Sequence, residues 1–269
     1  MATYWTHVAR KDFADAIRSK TLWALSIVMI AFALLGMYAP HALESDPSVE
    51  DAVALLNTPM LILVPILGLI VGYMAIVGER DTGSIKFLLG LPILRWEVLV
   101  GKFVGRSLVL AVPILLAFSI AVPLVVVLYG EFPVTDYLQF VAVAVLTAVV
   151  FVAIAVGVSA SVSSRGKAMA GVIGVFVLFE YLWGLVPTAI YYVVNGELPG
   201  AELPGWYEFI LQASPGFAVS RFVDVLSGDG ISSDLPVYLQ EWVSGVFVAL
   251  WIVVPLAVGY VRFKRASIS

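Results

Sequence analysis

The sequence predicts an all-α integral membrane protein of six transmembrane helices. An interfacial helix precedes them, a cytoplasmic helix follows the second span, and short outer helices come before the sixth. Three observations predict this. Hydrophobic residues make up 61% of the chain and charged residues 13%, with a mean hydropathy of +1.02; soluble domains carry roughly 45–50% apolar and about 25% charged residues. Six stretches approach or exceed the about 20 apolar residues needed to cross a hydrocarbon core of roughly 30 Å. The basic residues also fall almost entirely into alternate connections between those stretches. So large an apolar surplus needs a bilayer as solvent, and residues 1–269 read as a single transmembrane domain with modest loops.

Residues 1–20 come first. Trp5, Ala9, Phe13, Ala16 and Ile17 recur at helical spacing in an otherwise polar segment, which predicts an amphipathic helix along the cytoplasmic interface with Trp5 at headgroup depth. The spans follow at 21–39, 59–78, 107–129, 137–160, 168–194 and 243–261. Inside a bilayer every backbone N–H and C=O must be satisfied without water, so apolar runs of this length are helices; the alternation of a membrane barrel is absent. Pro65, Pro113, Pro123, Pro187 and Pro255 fall within spans and mark kinks. The first run is longer than the roughly 7–15-residue core of a secretory signal and no small-x-small cleavage site follows it, so it reads as a span.

Charge sorting sets the orientation. Arg10, Lys11, Arg18 and Lys20 precede the first span, and Arg80, Lys86, Arg95, Lys102 and Arg106 lie between the second and third. Arg165 and Lys167 separate the fourth and fifth; Arg262, Lys264 and Arg265 follow the sixth. Arg221 alone falls on the other side. The positive-inside rule makes the basic side cytoplasmic and predicts a multi-pass protein of the cell membrane with both termini inside. Glu44, Asp46, Glu50, Asp51, Glu131, Asp136 and the acids of 195–242 are then outside, a segregation that a wrong span count would scramble. Segment 195–242 is too long for a bare loop. It mixes turn residues with amphipathic pieces at 206–211 and 217–226, which predict short helices resting on the outer interface.

Several chemistries are missing. The chain has no cysteine, which removes disulfides and thiolate metal sites. No Gly-x-x-x-x-Gly-Lys-[Ser/Thr] phosphate loop occurs, and His7 and His41 fall on opposite sides of the membrane, so neither a nucleotide nor a shared metal site is expected. A net charge of −4 gives no basis for a nucleic-acid partner. Gly157-x-Ser159-x-Ser161 has the outline of a nucleophile elbow, but Ser161 replaces the second glycine and helix packing explains it better. Gly68-x-x-x-Gly72 permits close helix approach, either within the chain or at a dimer interface. Glu180, beside Tyr181, is the one acid inside a span. A carboxylate at that depth is costly, so the pair is a candidate for a pathway or dimer interface, with structural hydrogen bonding as the alternative.

The segment 79–106 carries the most information. It reads Glu79-Arg80-Asp81-Thr82-Gly83-Ser84-Ile85-Lys86-Phe87-Leu88-Leu89-Gly90-Leu91-Pro92, followed by Arg95-Trp96-Glu97 and Gly101-Lys102. Ile85, Leu88 and Leu89 share one face of a short helix that Gly90 and Pro92 would stop, the form of a docking element. This run is similar to the signature of type-2 ATP-binding-cassette (ABC) permeases, the membrane subunits of many exporters. Arg10-Lys11-Asp12-Phe13 resembles that family's amphipathic entry helix. The small-residue and basic turn at 159–168 and Ser214-Pro215 before the last span resemble further family motifs, so the likeness covers the whole chain.

The resemblance implies a permease subunit of an ATP-driven exporter that forms the translocation path with a second, identical permease. A separate ATPase subunit, two copies in all, would carry ATP and Mg, leaving this chain without catalysis or cofactor. Residues 79–89 would be the coupling helix, with Glu79, Arg80, Asp81, Thr82, Gly83, Ser84, Ile85, Lys86, Leu88, Leu89 and Arg95 as its coupling residues. Among these, Arg80, Asp81 and Lys86 would be its polar contacts with the ATPase. Residues 207–226 would cap the exit. The main rival is an ion-coupled secondary transporter or channel subunit built on Glu180, but such proteins usually carry several intramembrane ionisable groups and inverted repeats. The family spans exporters of drugs, lipids, polysaccharides, sodium and components for copper-enzyme maturation, and nothing in the sequence selects among them.

Overall fold

The computed structural model describes residues 4–43, 45–85, 93–130, 132–200, 203–227 and 236–265, and the described residues are all helix, turn or coil. Helix α1 (Trp5–Arg18) runs into α2 (Thr21–Leu43), followed by α3 (Val49–Gly72) and the short α4 (Val77–Asp81). Then come α5 (Arg95–Tyr129), α6 (Val134–Ser161) and α7 (Arg165–Phe176), which continues into a π-helical segment, Val177–Leu182. Helices α8 (Leu185–Asn195), α9 (Gly205–Gln212), α10 (Pro215–Ser227) and α11 (Glu241–Arg265) complete the chain. Among the described residues five helical stretches are long and apolar enough to cross a membrane: α2, α5, α6, α11 and the run from Pro59 to Asp81. The sixth span exists only if α7 and α8 are taken together, across a bend of 50°.

Helix α6 is the axis of the bundle. It packs against α3, α5, α10 and α11, and Val150 to Gly157 are buried without interruption, so it is apolar all round as a central helix must be. On one side Met29, Ala33 and Met37 of α2 interlock with Leu56 and Val64 of α3 and with Ile114 and Phe118 of α5. Between membrane helices, close dispersion contact and small residues replace the aqueous hydrophobic drive. Gly157 shows this: a Cβ there would lie 2.4 Å from the carbonyl oxygen of Pro255, so α6 and α11 touch backbone to backbone.

The structure corrects several sequence expectations. Helix α3 begins at Val49, well before residue 59, because Ser48 and Asp51 form a reciprocal capping box at its start. Helix α5 begins at Arg95 rather than Ser107. Its 35 residues extend about 52 Å, well beyond a bilayer core, so much of the expected loop 79–106 is helix. The fifth span is bent at Trp183–Gly184, where Pro187 has no N–H for the Trp183 carbonyl and the Val186 amide bonds it instead in a tighter turn (3.0 Å). Helix α10 does not rest on the surface. Its Ala218, Val219 and Val223 are buried against α6 and α11.

Candidate functional site

The second span is broken where it reaches the basic end of the bundle. Helix α3 stops at Gly72, the chain turns through 73–76, and α4 starts at Val77. The first amides of a helix need acceptors, and here a different helix provides one. The amides of Ile76 (3.1 Å) and Val77 (3.0 Å) both donate to Ser159 Oγ on α6, and Ser159 is fully buried. On the near side of the break the Arg106 guanidinium of α5 donates to the Val71 carbonyl at 3.3 Å. Helix α4 ends at Asp81, and beyond its cap Thr82 comes Gly83, whose φ of 72° is the left-handed conformation glycine adopts freely. Its amide returns to the Arg80 carbonyl (3.1 Å).

Glu79, Arg80 and Asp81 occupy successive positions of α4, and at about 100° per residue they point in three directions. Glu79 pairs with Lys102 of α5. Lys102 Nζ also lies 2.7 Å from Asp12 of α1, and Asp12 is 2.8 Å from Arg106 Nε. Asp12 and Lys102 are 4% and 7% exposed, a burial that ionised groups tolerate only with their partners in place. Arg80 reaches into the chain and donates to the carbonyls of Val162 (2.8 Å) and Ala160 (3.3 Å), at the C-terminal end of α6. Its guanidinium lies 5.1 Å from the centre of the buried Phe263 ring of α11. Arg95 contacts the same ring at 5.4 Å and donates to the Phe263 and Lys264 carbonyls, an interaction that suits a helix C-terminus. Asp81 pairs with Arg165 at the start of α7 (2.7 Å).

This placement divides the sequence-predicted residues. Arg80 and Glu79 are engaged inside the subunit rather than held out as docking contacts. Ile85 is buried among Ile76, Val98, Leu99 and Val156. Asp81, Thr82 and Ser84 are exposed and form the outward surface, with the Thr82 and Ser84 hydroxyls 2.9 Å apart. The expected single helix over 79–89 is interrupted at Thr82–Gly83 and becomes helical again at Ser84; Lys86, Leu88 and Leu89 lie outside the described residues. The predicted interfacial helix α1 packs on the projecting turns of α5. Cβ atoms added at Gly101 and Gly105 would lie 2.5 Å and 2.9 Å from the Val8 and Asp12 side chains. Asp12, Lys102, Arg106, Ser159 and Phe263 are absent from the sequence-derived set. The four-residue spacing of Lys102 and Arg106 was the available signal, since it puts both on one helix face.

The remaining candidates lie elsewhere. Gly68 and Gly72 face α6 of the same chain: added Cβ atoms would sit 3.0 Å from Phe151 Cβ and 2.6 Å from Ala155 Cβ. Their small surface is used inside the subunit, not at a dimer interface. Glu180 and Tyr181 lie in the π-helical segment, Glu180 half-buried and Tyr181 exposed. Glu180 approaches Gly216 at the start of α10; its carboxylate would stand 3.8 Å from a Cβ there. Nearby, the indoles of Trp183 and Trp251 donate to the Ile210 and Ala213 carbonyls (2.8 and 2.9 Å) and fix the α9–α10 turn at Ser214-Pro215.

Residues 6–268 match the sequence model of the ABC-2 family transporter proteins. The chain is 31% identical over 287 aligned positions to a probable ABC transporter permease protein NosY of Pseudomonas aeruginosa, covering 100% of both chains. It is 29% identical to a probable ABC transporter permease protein NosY of Stutzerimonas stutzeri, covering 96% of this chain and 97% of that one.

Proposed function

The chain belongs to the ABC-2 transporter family, and from that premise we propose that it is the membrane-spanning half of an ATP-driven exporter, coupled at α4 and the following turn to a separate ATPase. Family membership makes it a permease subunit of an ABC transporter. The ATPase, in two copies, supplies ATP and Mg and performs hydrolysis; this chain contributes no catalytic residue. Two identical permeases enclose the path, and the basic end with both termini faces the cytoplasm.

One observation carries the coupling assignment. Three consecutive side chains of α4 are tied to α5 with α1, to α6 with α11, and to α7, while the turn beyond them presents Thr82 and Ser84 outward. A force on that turn is therefore delivered to most of the bundle at once. Among the described residues Glu180 has no ion pair, so the arrangement around α4 favours the coupled reading over an ion-coupled one.

The test is co-expression of the full chain with ABC ATPase subunits of its own genome, followed by size-exclusion chromatography. Stoichiometric co-elution, lost in Thr82→Arg/Ser84→Glu while the permease alone stays monodisperse, is the expected result. Co-elution that survives the double substitution would move the docking surface elsewhere, and failure of every such ATPase to bind would overturn the coupled-exporter reading.

A further inference from the structure

The elbow between α1 and α2 holds a feature that coupling does not use. The chain turns there through Ser19 and Lys20, and Lys20 has a φ of 64°. In that conformation a β-carbon crowds the backbone, so glycine or asparagine is the usual occupant. This is the left-handed position that closes a helix, with the Lys20 amide donating to the Ile17 carbonyl (3.4 Å), and it sets the Lys20 side chain at the elbow.

Around Lys20, a groove of about 600 Å³ is lined by Ile17, Arg18, Trp23, Ala24 and Ile27. Among the described residues neither Arg18 nor Lys20 has an acidic partner, and both are exposed. Lys102, Arg106 and Arg165 are ion-paired, whereas Arg18 and Lys20, like Arg10 and Lys11, have no acidic partner among the described residues; what sets Arg18 and Lys20 apart is the groove beside them. Below these two cations the wall is apolar and open, with Trp23 58% and Ile27 68% exposed. Trp23, Ala24 and Ile27 share one face of α2 by their spacing and descend about 6 Å along the helix, and Lys20 lines the same groove from the turn above them. Free cations sit at the polar end, with an indole and aliphatic wall beneath.

We propose that this elbow is a binding site for one anionic phospholipid. Its phosphate would lie between Arg18 and Lys20, and an acyl chain along Trp23, Ala24 and Ile27. Charge complementarity selects an acidic headgroup, because a cation near a membrane surface favours anionic lipid by about 5-fold, or about 30-fold for two. The assignment is independent of whether an ATPase docks at α4.

The experiment is native mass spectrometry of the full chain, exchanged into detergent with equal phosphatidylglycerol and phosphatidylethanolamine. The wild type should retain one phosphatidylglycerol per subunit in preference to phosphatidylethanolamine. Arg18→Gln/Lys20→Gln should lose about 30-fold of that preference, while Arg10→Gln/Lys11→Gln on the same helix keeps it. Lys20→Gly removes the cation and the backbone strain together, so it should melt at or above the wild-type temperature yet show weaker preference. This separates binding from folding. Equal retention of the two lipids, or a preference that R18Q/K20Q leaves intact, would overturn the site. Displacement by millimolar inorganic phosphate would show a phosphate site rather than a lipid site. A change of oligomeric state in R18Q/K20Q without any change in lipid preference would show that a second copy covers the groove, and would also overturn it.

Discussion

Ser159→Ala tests the account of the broken second span. The substitution removes one hydroxyl, but that oxygen accepts from two amides, Ile76 and Val77, at a position with no exposure. A buried donor left without its acceptor costs about 1–3 kcal/mol, so the pair should cost about 2–6 kcal/mol; the missing oxygen leaves little cavity to add. Unfolding of the purified chain in detergent, followed by tryptophan fluorescence, should show a midpoint lower by about 4–24 °C, at roughly 2–4 °C per kcal/mol for a chain of this size. Ser161→Ala is the control two residues away. Its hydroxyl donates to the Gly157 carbonyl within the same helix (2.7 Å), and that carbonyl retains its helical partner, so the loss should stay under about 1 kcal/mol. Hydrogen exchange adds a local readout: the Ile76 and Val77 amides should lose protection in Ser159→Ala alone. A midpoint within about 2 °C of wild type, with both amides still protected, would mean that the break is held by something other than Ser159.

Lys102→Met should destabilise the chain by about 3–5 kcal/mol, because it strips a partner from the buried Asp12 and from Glu79. Adding Asp12→Asn should recover part of that loss, and a double-mutant cycle on the same melts measures the coupling. Gly157→Ala should cost about 1–3 kcal/mol by forcing α6 away from the Pro255 carbonyl. Gly166→Ala, where an added Cβ meets nothing within 4 Å, should leave the stability unchanged or raise it by up to about 1 kcal/mol. Since the chain contains no cysteine, single Glu197→Cys and Lys264→Cys variants report orientation directly. A membrane-impermeant maleimide on intact cells should label residue 197 and spare residue 264, and the reverse pattern would invert the proposed topology.

The spans were legible because their signal is bulk composition: twenty apolar residues in a row outweigh any local ambiguity. The ends of the helices were not, and the residues show why. Charge was read as loop, yet Glu97, Lys102 and Arg106 lie within α5, where Glu97 caps the helix by accepting from the Leu94 and Tyr4 amides (both 2.9 Å) and the two cations meet Asp12. Whether a charged residue belongs to a loop or a helix was decided by a partner some 90 positions away, which periodicity cannot see. The start of α3 is different: Ser48 and Asp51 stand at the spacing of a capping box, a signal local to the sequence. The break after Gly72 left no local trace at all. No proline or capping residue stands at Ile76, because its acceptor, Ser159, belongs to another helix. For the site, the identity of the segment was readable from its resemblance, whereas the inward turn of Arg80 and the role of Phe263 required the fold.

The division of labour at the basic end follows from these positions. A helix that ran unbroken from α3 through α4 would carry any displacement of the turn straight along its own axis. With the turn at 73–76, the Ile76 and Val77 amides leave the helical ladder for Ser159, and α4 is held laterally as well by three side chains that each end on a different neighbour; backbone bonds still cross the turn, from the Ala75 amide to the Gly72 carbonyl and from the Gly78 amide to the Met74 carbonyl. The neighbouring attachments differ in kind. Arg80 on the α6 carbonyls and against Phe263 is enclosed and short, so it transmits displacement stiffly. Asp81–Arg165 is half open to solvent, the kind of pair that contributes about 0–1 kcal/mol and exchanges easily with water. Under the coupling proposed above, Arg80 is the firmer link from α4, to α6 and α11, and Asp81–Arg165 is the weaker one, to α7. Helix α7 in turn leads through the π-helical segment to the bend at Trp183–Gly184.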